Sequence, residues 1–117
     1  MPPDRDPATL LDIALAARRV LAFTEGYSVQ RFDADEKTQS AVLHQLLIIG
    51  EAAKRLSPAM RTRIHAVPWN DMARMRDRLI HHYETIQLST VWEVVEHHVP
   101  HLLHAIEPHL PAPSDEP

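Results

Sequence analysis

The run AVLHQLLIIGEAAKRLSP, residues 41–58, decides the fold. Its apolar positions Val42, Leu46, Ile49, Ala52, Ala53 and Leu56 recur at three- and four-residue steps, the spacing of one helix face, and strand-like alternation is absent. The helix should stop before Ser57-Pro58, which opens a short helical piece of its own. Upstream, Asp33 followed by Glu36 reads as a capping box, so the helix is expected to start at Asp33.

The same period extends to either side. Towards the N-terminus, Leu10, Ile13, Ala14, Ala17, Val20 and Leu21 form a stripe that begins at Asp6-Pro7, an N-cap followed by proline at the first helical position, and ends at Gly26. Towards the C-terminus, a turn at Val67-Pro68 leads to Trp69-Asn70, with Asn70 the expected N-cap of a third helix. A break near Gln87-Leu88-Ser89 precedes a fourth helix with core positions Trp92, Val95, Val99, Leu102, Leu103 and Ile106. Pro100 falls inside that pattern and predicts a kink or a split. Long amphipathic helices with short connections imply an all-α, antiparallel up-down bundle over residues 1–107. Residues 108–117 hold four prolines and no periodicity and are expected to be a disordered tail.

Bulk properties narrow the function. A chain of 117 residues makes one domain and buries roughly 65% of its unfolded surface. It has no cysteine, so disulfides and thiolate chemistry are excluded. No apolar run approaches a membrane span, and Met1 to Asp6 do not open a signal peptide, so a cytoplasmic protein is expected. The net charge of −4 argues against a nonspecific nucleic-acid coat, but it is uneven: −3 over residues 1–53, +5 over 54–78 and −6 over 79–117. An acidic chain with one basic block reads either as local anion binding or as a solvated helical face.

That block ends in Arg76-Asp77-Arg78-Leu79-Ile80-His81-His82-Tyr83, which sets two arginines, two histidines and a tyrosine within eight residues. Arginine holds phosphate, histidine moves protons near neutral pH and tyrosine offers a modifiable hydroxyl. On an ideal helix Arg76 and Tyr83 share a face about 10 Å apart along the axis, while His81 lies about 140° round from Arg76. One straight helix therefore does not unite the three. Either the helix ends near His81, or a second copy completes the site, since a two-fold dimer sets identical patches face to face.

In order along the chain, Ile48-Ile49-Gly50-Glu51-Ala52, Val67-Pro68-Trp69, Arg76 to Tyr83, Val91-Trp92 and Val99-Pro100-His101-Leu102 form five landmarks. Together they resemble the HEPN-domain toxins of the HepT type (the DUF86 group), small helical proteins encoded beside a minimal nucleotidyltransferase. The third landmark matches that family's R-x4-H-x-Y. Asp77 stands where Asn is common, and His82 where an acid is common.

The resemblance implies a metal-independent, cofactor-free endoribonuclease that works as a homodimer and is the toxin of a toxin–antitoxin pair. It makes Arg76 and His81 the catalytic pair and Tyr83 the residue to which the nucleotidyltransferase antitoxin transfers AMP from ATP. Asp77, Arg78 and His82 would support the site, with Arg78 and His82 holding the added phosphate. RNA is the implied substrate, with no membrane. The rival reading is a non-catalytic helical partner, or nucleotide-binding module, of a nucleotidyltransferase. In the plainest reading Arg76 and His81 are surface or capping residues and Tyr83 is a core side chain.

Three further signals are weighed. His97, His101 and His104 share a helical face at a spacing that suits zinc or nickel. Pro100 interrupts that face and no carboxylate motif accompanies it, so no metal site is expected. Glu51 is placed to pair with Arg55 one turn on, or to reach and orient a motif arginine, while Gly50 permits close helix contact. Trp69 and Trp92 read as core anchors.

Overall fold

A computed structural model describes residues 4–112, and among these every regular element is helical. The helices are α1 (Asp6–Phe23), α2 (Val29–Asp33), α3 (Glu36–Arg55), α4 (Pro58–Arg63), α5 (Trp69–His81), α6 (Leu88–Glu93) and α7 (Val99–Ile106). The long α3 is the centre of the bundle, with α1 on one side and α5 on the other; α1 in turn packs on α7, and α2 bridges α3 and α6. The expected stripes are the core: Leu10, Ile13, Val20, Val42, Leu46, Ile49, Leu102 and Ile106 are all fully buried. No described helix is long and apolar enough to cross a membrane.

Helix starts differ from the sequence reading at three places, each for a local reason. Asp33 does not open α3; it ends the extra turn α2, which buries Phe32 against Trp92 with ring centroids 5.1 Å apart. Asp35 is the N-cap instead, taking Thr38 N–H at 3.1 Å while its other oxygen accepts from Thr38 Oγ1 and Tyr27 Oη, each at 2.7 Å. Asp6 does not cap its own helix. It lies inside the first turn of α1, where its carboxylate accepts the Ser57 backbone N–H at 3.0 Å and the Ser57 hydroxyl, fastening α1 to the start of α4. Asn70 does not cap α5, because the helix already begins at Trp69, whose indole N–H donates to the Ile64 carbonyl at 2.9 Å.

Helix α1 ends at Phe23, and the chain turns through Gly26 at φ +76°, a left-handed conformation that glycine adopts without strain. The expected disruption at Pro100 takes the form of a π-helical segment, Val94–His98, joining α6 to α7. Here the Val99 N–H bonds to the carbonyl five residues back, at Val94. The widened turn precedes a proline that has no N–H to give and whose ring crowds the preceding turn. Beyond α7, Glu107–His109 form a 3-10 turn and Leu110 packs on the core. Residues 113–117 of the expected tail lie outside the described residues.

Candidate functional site

The site is built where α5 crosses α3. Gly50 lies at the crossing: a Cβ placed on it would stand 3.0 Å from the Met72 carbonyl oxygen, 3.2 Å from Arg76 Cα and closer still to Arg76 Cβ. With no side chain at position 50, α3 and α5 approach until the neighbouring Glu51 reaches Arg76. One Nη of Arg76 bonds Glu51 Oε1 on α3, and the other bonds Asp77 Oδ1 on its own helix at 3.0 Å. Asp77 Oδ1 also takes Lys54 Nζ of α3 at 3.1 Å. Four charges thus form one alternating cluster across two helices.

The cluster favours the charged forms of Asp77 and Arg76. The Arg76 bond, then the Lys54 bond, holds the Asp77 carboxyl below its ordinary range. The Asp77 bond raises the Arg76 guanidinium, opposed by burial and helped by Glu51. Only 23% of the Arg76 side chain is exposed, and its Nε–H is buried without a partner. A guanidinium has five N–H donors in a planar fork. Glu51 and Asp77 take one each on the two Nη atoms, which leaves one further N–H on each Nη without a protein partner among the described residues.

The remaining motif residues sit at the other end of α5. The helix stops at His81, as one of the two geometric options required. The His82 N–H closes on the Arg78 carbonyl at 2.8 Å, and a 3-10 turn, Tyr83–Thr85, follows, held by Thr85 donating to the His82 carbonyl. His81 and His82 are exposed, and Tyr83 is 57% exposed, so Tyr83 is not a core residue. Arg78 and His82 lie one turn apart on the far side of α5 from Arg76, towards α6. Arg76 and Asp77 are therefore brought together, with Glu51 and Lys54 added. His81 and Tyr83 make no side-chain hydrogen bond to that cluster among the described residues.

Much of the basic block is internally paired. Lys54 pairs with Asp77, Arg55 with Asp12 at 3.6 Å, Arg74 with Asp71, and Arg61 donates to the Leu56 carbonyl. Glu51 therefore pairs with Arg76 rather than with Arg55. Lys54 was missed as a site member, although it lies one turn from Glu51 on the same face. On the last helix, His101 turns its Nε2 to the Ala66 carbonyl at 3.2 Å. Among the described residues no three His, Asp or Glu side chains converge to hold a metal ion.

Fold and site define a class: an all-α bundle that clamps an arginine at a helix crossing and presents a histidine and a tyrosine where the same helix ends. The chain belongs to the HepT-like ribonuclease family, whose description "Ribonuclease HepT-like" matches residues 13–108. The protein of Thermococcus cleftensis named "Probable ribonuclease HepT" is 43% identical over 94 residues, 80% of this chain and 84% of its own. "Putative RNase MJ0127" of Methanocaldococcus jannaschii is 39% identical over 107 residues, 92% of this chain and 88% of its own. No solved structure matches the chain. The chain is accordingly a ribonuclease.

Proposed function

We propose that this ribonuclease is the toxin of a toxin–antitoxin pair, a metal-independent endoribonuclease that cuts RNA with Arg76 and His81 and is silenced at Tyr83. The observation that carries the reading is the clamp on Arg76. Two carboxylates orient the guanidinium while a pair of N–H donors stays available, the arrangement that suits a phosphate. In the cutting step the 2′-oxygen of RNA bonds to the adjacent phosphorus, His81 takes its proton, and the bond to the 5′-oxygen breaks, the leaving oxygen taking a proton from water. The products are a 2′,3′-cyclic phosphate and a 5′-hydroxyl, and Arg76 carries the charge that develops on the phosphoryl oxygens. The need for a 2′-hydroxyl restricts the substrate to RNA.

A homodimer supports this chemistry. Ile80, 45% exposed, lies only about 40° round α5 from Arg76. A second copy seated there would cover it and bring a second Arg76 and His81 into a shared cleft. The regulatory partner is a minimal nucleotidyltransferase acting on cytoplasmic ATP. The Tyr83 oxygen bonds to the α-phosphorus, pyrophosphate leaves and the phenolic proton passes to water. The added phosphate and its bulk then compete with RNA at the end of α5.

The test is cleavage of total and transfer RNA by metal-free wild type, Arg76→Ala and His81→Ala. Cleavage by the wild type alone is expected. Equal cleavage by either folded variant would remove that residue from the reaction.

A further inference from the structure

Between the C-terminal half of α5, the 3-10 turn and α6 lies a cavity of about 560 Å³, on the side of α5 away from the Arg76 clamp. That volume falls within the range of small-ligand sites. Leu46, Leu79, Val91 and Val94 give it an apolar floor, and Arg78 and His82 stand at its edge. No acid lines it. Neither the Arg78 guanidinium nor the His82 ring has a hydrogen-bond or ion-pair partner among the described residues, unlike most of the basic block. Thr85 of the 3-10 turn and Thr90 of α6 add hydroxyls to its lining.

An apolar slot with two unpaired cationic groups at one edge and no carboxylate suits a ligand with a flat ring at one end and an anion at the other. We infer that this cavity binds a nucleoside monophosphate unit, its base on the Leu46–Val91 floor and its phosphate on Arg78 and His82. Base faces pack on apolar surface with little regard to sequence, and arginine takes phosphate through paired N–H donors. The assignment deepens the proposed ribonuclease reading and rests on it for the source of the ligand. The unit is either a nucleotide of the RNA strand beside the cut, or the AMP carried by Tyr83, which adjoins His82 in sequence.

The probes are 5′-AMP, adenosine and inorganic phosphate, titrated calorimetrically into the full chain. AMP is expected to saturate one site per chain, and adenosine and phosphate to bind at least about tenfold more weakly, because each lacks half of the contacts. Thr90→Trp, which fills the slot from α6, is expected to abolish AMP binding, as is Thr85→Trp from the 3-10 turn. Both positions are exposed, and thermal melts verify folding. AMP binding that is absent, or that survives both tryptophans, overturns the inference. The source is read from RNA kinetics on the same variants. A raised KM with kcat kept assigns the unit to the RNA strand, and an unchanged KM assigns it to the AMP on Tyr83. Wild type that binds AMP but cuts no RNA would sink the ribonuclease mechanism and leave the cavity assignment standing.

Discussion

Replacing Gly50 with alanine is the sharpest probe of the helix crossing. On propensity alone the change stabilises, because alanine is favoured over glycine in a helix interior by about 1 kcal/mol. The geometry opposes it. The new Cβ meets the Met72 carbonyl oxygen at 3.0 Å and Arg76 Cα at 3.2 Å, with Arg76 Cβ nearer still, whereas carbon atoms pack comfortably at roughly 3.5–4.0 Å. These atoms belong to the α5 backbone or are fixed to it, so no side-chain rotation relieves them. The helices must part by about 1 Å, and overpacking of this kind costs typically 1–3 kcal/mol. With backbone on one side of the clash the upper part of that range applies. Net of the propensity gain, we expect Gly50→Ala to lose about 2 kcal/mol in urea denaturation at fixed protein concentration.

The same movement withdraws Arg76 from Glu51. Misplacing a reacting group by about 1 Å lowers turnover by around a hundredfold, so kcat/KM for RNA should fall by about that factor under conditions where the variant is fully folded. A variant as stable as wild type, or more so, with unchanged cleavage would show that propensity wins and that the crossing does not set the position of Arg76.

Three further outcomes are expected. Glu51→Ala should lower RNA cleavage about tenfold or more by freeing the guanidinium, while Glu51→Gln, which keeps an acceptor for Arg76, should restore part of the rate; equal losses in the two would exclude a positioning role. Asp35, held down to about 2 by its bonds from Thr38 and Tyr27, contributes stability that is complete above the ordinary carboxylate range and is lost as the pH falls from about 4 towards 2. Asp35→Ala should therefore be less stable than wild type at neutral pH by a margin that narrows through that window, and a margin independent of pH would refute the assignment. Gln45 is buried with its Oε1 unsatisfied, so Gln45→Met, similar in volume, should raise stability by about 1 kcal/mol, read as a higher urea midpoint with unchanged slope. A lowered midpoint would mean that the amide makes a bond worth keeping.

What was legible in the sequence is what repeats. The stripes of α1, α3 and the last helix are properties of spacing, and each became a buried face. The helix starts were misread where two capping residues compete. Asp33 and Asp35 both precede helical sequence, and the choice fell to tertiary contacts: Phe32 had to reach Trp92, and Tyr27 bonds Asp35 rather than Asp33. Asp6 had a plausible local role but found Ser57 instead, a partner that local reasoning does not supply. The same limit left the charge cluster undecided and Lys54 unnoticed. Glu51 has an obvious neighbour in Arg55 one turn on, yet it bonds Arg76 because Gly50 lets α5 close on α3, while Asp12 takes Arg55. The sequence offered Glu51 either Arg55 or a motif arginine, and the close approach of α5 at Gly50 decides for Arg76.

The two faces of α5 differ in the partners that they hold. Arg76 is surrounded by carboxylates, which weakens it as a bare anion attractor, and a basic block so largely paired internally would draw RNA only feebly over a distance. Arg78 and His82, one turn apart on the other face, have no side-chain partner among the described residues. Under the proposed mechanism the arrangement divides the work. The unpaired groups can collect a phosphate, while the clamped one, with its orientation fixed before the substrate arrives, gives up little freedom when it meets a phosphoryl group. An arginine tethered at both Nη atoms is a poor anchor for recruitment and a good one for a transition state. Asp77 fits this division: it is the carboxylate shared between Arg76 and Lys54, so its negative charge, which would repel phosphate if alone, is neutralised by the cations that it holds in register.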